Sequence, residues 1–163
     1  MAEAEAKAER EGRAVLVVID RSEELQVALR YACRRARATG RRVALLYVVE
    51  PPEGLHWMAV ERLMESESRD EAEQKLQAFS AKVVEWTGRI PAIHIREGRP
   101  LDELLALIDE DHSIAALVLG ADPGAKGPGP LVSALAGKNV GKLRVPLTIV
   151  SGHLTEEQID ALD

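Results

Sequence analysis

Aromatic side chains are nearly missing, at 3% of 163 residues. Sandwiches of antiparallel sheets draw heavily on Tyr, Trp and Phe, so this core has to be built from Ala, Val, Leu and Ile. That composition favours a parallel sheet buried on both faces. The single cysteine, Cys33, excludes an intrachain disulfide framework. It sits in a helical pattern of Ala and Arg and reads as a small buried hydrophobe. No apolar run reaches membrane-spanning length. Met1 to Arg13 is rich in Ala and Glu without an apolar h-region, so no secretory signal is expected and a cytoplasmic protein is. A basic excess is also absent. The formal net charge of −6 argues against nucleic acid as the main partner. Six arginines, Arg30, Arg34, Arg35, Arg37, Arg41 and Arg42, do gather on one helical pattern and its exit, where they read as a solvated face.

Catalytic constellations are equally scarce. His56, His94, His112 and His153 stand far apart and show no metal-ligand spacing. Ser133, between Val132 and Ala134, lacks a nucleophile elbow, and no Ser-His-Asp or Cys-His order is present. Asp109 to His112 reads as a solvated charged helix end, with its acids opposed to the helix dipole. We expect neither an enzyme nor a metal site.

What the chain does have is alternation. With 46% hydrophobic and 29% charged residues it is long enough for one domain with a continuous core. Ala14 to Ile19 is a short apolar run ending at Asp20, a strand buried on both faces. A helix follows, with Ser22 as N-cap and Leu25, Ala28, Leu29, Ala32, Cys33 and Ala36 on its buried face; Gly40 ends it. Val43 to Val49 is the second strand. Trp57, Val60, Leu63 and Met64 fall on one helical face, but the polar run Glu65 to Glu71 leaves open whether the helix continues. From Ala72 the stripe resumes through Leu76, Phe79, Val83 and Trp86.

Ile90 to Ile95, with its proline, suits an edge strand. Pro100 opens a helix whose buried face is Leu101, Leu104, Leu105 and Ile108. Ile114 to Leu119 is the fourth strand, followed by a Gly/Pro-rich loop from Gly120 to Pro130. Leu131 to Leu143 is weakly helical, and Pro146 to Val150 is the fifth strand. Thr155 and Gln158 form a capping box, and Leu154 with Ile159 has the spacing of a hydrophobic staple, so a terminal helix should cover apolar surface through Ile159 and Leu162. The expected architecture is an open, doubly wound, mostly parallel five-stranded α/β sheet with helices on both faces. Its parts are a polar extension (1–12), the α/β domain (13–151) and a helical tail (152–163).

Three segments together resemble the universal stress protein family. They are Val15 to Glu24, a strand ending in Asp20 before a Ser-bearing helix start; Leu45 to Val49; and Glu97-Gly98-Arg99-Pro100, leading through a helix to Ala116 to Gly120. The resemblance covers about Arg13 to Val150. It implies strand order 3-2-1-4-5 and a nucleotide site at the reversal between strands one and four. Open α/β sheets place ligands beyond the carboxyl ends of their strands at such a point. By the same resemblance Asp20 reaches the ribose or base side of a ligand, and Val48 lines the adenine side.

The family's phosphate motif, Gly-x2-Gly-x9-Gly followed by Ser or Thr, fits in two registers. Gly124, Gly127 and Gly137 reproduce the spacing, but Lys138 follows in place of Ser or Thr. Aligned without gaps from Gly120, the second glycine becomes Pro123 and the Gly-Ser pair becomes Ser133-Ala134. This register keeps the distance to Pro146 and is preferred. A Walker loop and a dinucleotide fingerprint both fail around Gly127 to Gly137.

The candidate ligand residues are therefore Asp20, Val48, Gly120, Gly124, Gly127, Ser133, Gly137 and Lys138. The expected function is regulatory or binding, with a cleft for a nucleotide or similar anion in which ATP or another adenine nucleotide is held weakly or not at all. The alternatives are a ligand-free homodimeric interaction protein and a weak ATP hydrolase. The unpaired last strand, Leu147 to Val150, should pair with its copy in a homodimer. Trp57 to Met64 is expected to form a mobile flap or a partner-facing helix.

Overall fold

The computed structural model of the protein describes residues 1–51 and 58–162, without the side chains of residues 10 and 58–66. Five strands form one sheet: β1 (Ala14–Val18), β2 (Arg42–Val49), β3 (Ala92–Glu97), β4 (Ile114–Ala121) and β5 (Leu147–Ser151). Their order is β3-β2-β1-β4-β5, and every pairing is parallel. The helices are α1 (Ala2–Glu11), α2 (Glu24–Thr39), α3 (Met58–Thr87), α4 (Pro100–Glu110), α5 (Pro130–Leu135) and α6 (Glu156–Asp160). The polar N-terminal stretch is thus helical.

Alternation along β1 decides the two cores. Val15, Val17 and Ile19 face one helical layer, where they meet Leu29 and Cys33 of α2, Leu76 and Val83 of α3, and Ile159 of α6. Ala14, Leu16 and Val18 face the other, against Leu104, Leu107 and Ile108 of α4 and Leu135 of α5. Helix α2 lies over the middle of the sheet. Its Ala28, Ala32 and Ala36 are wholly buried, and their small volume lets the helix backbone come close to the strands. Gly40 ends it with a left-handed φ of 72° and a backbone N–H bonded to the carbonyl of Arg37. Burial among these residues pushes the Cys33 thiol up to about 12.

Several local expectations are corrected. Ser22 is not the N-cap of α2. That position is Glu23, and Ser22 instead donates its N–H and hydroxyl to Asp20 Oδ1. Asn, Asp and Ser prefer such local turns, and here the turn displaces the cap by one residue. The third strand starts at Ala92, not Ile90, because Pro91 offers no N–H and Ile90 is left 70% exposed. The segment from Leu131 to Leu143 divides into α5 and a 3-10 turn at Val140–Lys142. On α4, Leu107 is buried while Leu101 and Leu105 are only partly so. Glu65 to Glu71 does not interrupt α3, which runs unbroken. The expectation for Trp57 to Met64 concerns side chains outside the described residues.

Arg144 resolves the acidic end of α4. Its Nε donates to the carbonyl of Ile108 at 3.2 Å, and its Nη2 reaches the carbonyl of Asp111 at 3.1 Å, supplying the cation that the helix terminus lacks.

The tail is docked, not frayed. Thr155 and Gln158 make the reciprocal capping box, and Leu154 packs on the same core as Ile159. Asp160 accepts from Arg30 Nε and Nη2 at 3.0 and 2.8 Å, and the same guanidinium lies 4.9 Å from the Trp86 ring centroid. Leu162, in contrast, is 58% exposed: α6 ends at Asp160, so this side chain falls past the last turn. Ile159→Ala should therefore destabilise by about 2–4 kcal/mol, as buried large-to-small changes do. Leu162→Ala should stay within about 0.5 kcal/mol. Equal effects in urea denaturation would refute this docking.

Candidate functional site

The strands end together on one side, and β1 and β4 diverge there because their connections leave to opposite faces. The resulting cleft has a volume of about 650 Å³. Its apolar wall is made by Val18, Ile19, Val48, Leu119 and Val132, and its near edge by Gly120.

Gly120 is required by close approach. A β-carbon there would lie 2.8 Å from the Glu24 carbonyl oxygen, which is backbone and cannot swing aside. Its absence lets the start of α2 rest on the end of β4. Asp20 stands at the end of the β1 run and holds the turn into α2 through its bonds from Ser22. Arg21 follows and pairs with Glu71 of α3 at 2.8 Å, tying one wall of the cleft to the next.

Of the residues singled out from the sequence, Asp20, Val48 and Gly120 come together as lining. Gly124, Gly127, Ser133, Gly137 and Lys138 do not line the cleft. The loop after β4 explains why. Asp122 Oδ1 accepts the N–H of Gly124 at 2.7 Å, and the N–H of Gly127 goes to the Gly124 carbonyl at 3.3 Å. Ser133 donates its N–H to Gly129 inside the start of α5. These amides are satisfied within the loop and do not converge on an outside acceptor. The loop instead presents Pro128, Gly129 and Pro130 to the cleft, and the two prolines have no N–H to offer.

The rim is acidic. Asp20, Glu24, Glu50, Glu71 and Asp122 line it, and among the described residues Arg21 is the one cation there, already paired with Glu71. Glu24, Glu50 and Glu71 escape a motif search because they come from three elements distant in sequence. The signal that does exist is modest: Glu24 and Glu50 each lie within a few residues of a strand's carboxyl end. Among the described residues no cluster of His, Cys, Asp or Glu has the arrangement of a metal site. No helix among them is long and apolar enough to cross a membrane.

An all-parallel sheet of this order, with its cleft at the reversal point, defines the class as a doubly wound, Rossmann-like α/β fold. Within that class, the chain belongs to the universal stress protein family, whose model matches residues 12–159. No curated protein matches it in sequence. Among solved structures, the universal stress protein UspA of Lactobacillus plantarum is similar with a TM-score of 0.72 at 20% identity, over 86% of this chain and 98% of that one. A universal stress protein from Archaeoglobus fulgidus in complex with dAMP gives 0.59 at 20% identity, over 85% and 97%. A universal stress protein in complex with cAMP gives 0.58 at 15% identity, over 86% and 97%. At these identities the likeness is one of fold.

Gly120→Ala should destabilise the protein by about 1–3 kcal/mol, the usual cost of overpacking against fixed atoms. Chemical denaturation measures it, and an unchanged midpoint would mean that α2 does not rest on β4 as described.

Proposed function

We propose that the switch-point cleft binds the nucleoside part of an adenine nucleotide and disfavours a polyphosphate tail, and that the protein acts through binding and not through catalysis. The observation that carries this reading is the charge of the rim. Four lining carboxylates, Asp20, Glu24, Glu50 and Asp122, have no cation paired to them among the described residues. Each like-charge pair at about 4 Å costs about 1 kcal/mol even in bulk water, and more beside a protein wall. The charge on ATP multiplies that cost, whereas an uncharged nucleoside meets only the apolar wall. Two lost charge-assisted bonds to phosphate alone correspond to about a hundredfold in affinity. The dAMP and cAMP complexes of similar structures, each with one phosphate, are consistent with this choice.

The non-catalytic reading rests on the same groups. Asp20 and Asp122, the carboxylates nearest the loop, each hold a local turn through Oδ1. Calorimetric titration checks the proposal. Affinity should fall from adenosine to AMP to Mg-ATP, and Glu50→Gln with Asp122→Asn should strengthen ATP binding by about tenfold. Micromolar or tighter ATP binding to the unaltered protein, abolished by Asp20→Ala, would overturn the proposal.

A second reading concerns assembly and rests on β5. This strand pairs with β4 along one edge, while its Ile149 is 41% exposed. An apolar strand edge of this kind favours pairing with a second copy about a two-fold axis. Light scattering at micromolar concentration should give a dimer, and Ile149→Asp should give a monomer. A monomer in the unaltered protein would refute the pairing.

A further inference from the structure

We propose a second site, for a compact polyanion of the diphosphate type, in the groove at the amino ends of β1, β2 and β3, opposite the acidic cleft. The arginine cluster read from the sequence as one solvated face divides in the folded chain. Arg30 and Arg34 are drawn to Asp160 of α6, and Arg42 donates to the carbonyl of Ile90. Arg35 also has a partner of its own, which leaves Arg37 and Arg41. They lie on either side of Gly40, whose left-handed turn brings the chain back beside the end of α2.

There they meet Arg89, from the turn before β3, and Lys7 of α1. Two adjoining concavities of about 320 and 650 Å³ share Glu11, Arg37, Gly40 and Arg41 as walls; Arg89 closes the first and Lys7 the second. Among the described residues, the one carboxylate in either wall is Glu11, which lies 3.8 Å from Lys7.

Capping of the helix end does not account for this charge. Arg89 already serves that end, donating at 3.4 Å to the carbonyl of Gly40, and also donates at 3.0 Å to that of Glu11 at the end of α1. The side chains of Arg37 and Arg41 make no hydrogen bond or ion pair among the described residues, their backbones alone being bonded, to Gly40 and Ala36. The Nε–H of Arg41 is shut off from water and unpartnered. Three guanidiniums around one groove repel one another, and an anion at their centre would turn that repulsion into attraction. Guanidinium forks match pairs of phosphate oxygens, and several of them favour a ligand with two or more negative charges in a small volume. The chain's net charge of −6 weighs against an extended polyanion, which would have to run past the groove onto acidic surface.

The test is calorimetric titration with inorganic pyrophosphate at low salt. Binding is expected, and it should weaken as salt rises because screening acts on exposed charges over about 10 Å at 0.1 M. Arg37→Gln with Arg41→Gln should reduce affinity by about tenfold or more. Arg37→Gln alone, at an exposed position, should do so in part without risk to the fold. Lys126→Gln, in the loop beside the acidic cleft, should leave binding unchanged. ADP binding that depends on Arg37 and Arg41 would assign the site to a nucleotide's phosphate tail, and pyrophosphate binding without it would assign it to free diphosphate. Absence of pyrophosphate binding at low salt, or equal loss in the Lys126→Gln protein, overturns the proposal.

Discussion

The close seating of α2 on the sheet is the constraint on which the rest of the molecule depends. Three alanines, Ala28, Ala32 and Ala36, bring its backbone down onto the strands, and Gly120 removes the one side chain that would hold its first turn away. That turn then forms one wall of the cleft. The other end of the same helix carries Arg37 to the amino ends of the strands. Its outer side receives α3 and α6, joined to it through Trp86, Arg30 and Asp160. A larger residue at any of those small positions would change the cleft, the tail and the sheet together.

The result is a molecule polarised along its strands. Parallel strands put all carboxyl ends on one side, and there the acidic residues gather. All amino ends lie on the other side, where Arg37, Arg41 and Arg89 meet. The overall charge of −6 therefore describes neither end. Charge acts on a ligand through its local arrangement, so a chain that repels polyanions on average can still offer them a basic groove.

Most of the architecture was legible in the sequence because a two-sided core leaves a periodic record. Apolar runs such as Val15 to Ile19 and stripes such as Ala72, Leu76 and Val83 carry the strand and helix periods directly, and the strand order followed from the family resemblance. Boundaries were less legible where polar side chains compete with the backbone. Ser22 reads as a helix cap but bonds to Asp20, and Ile90 reads as strand but stands before it, exposed.

The sequence by itself determined the layers and the succession of strands and helices, because those depend on local periodicity. The reversal point, with Asp20 and the loop after Gly120 beside it, was implied by the resemblance to the family. Tertiary structure alone decided which charges share a space. Glu24, Glu50, Glu71 and Asp122 come from separate elements to one rim, and Lys7, Arg37, Arg41 and Arg89 come likewise to one groove. It also decided that the amides of Gly124 and Gly127 turn inward. Glycine spacing records where a backbone is free to bend, while the direction of its N–H groups depends on which acceptors the folded loop brings within reach.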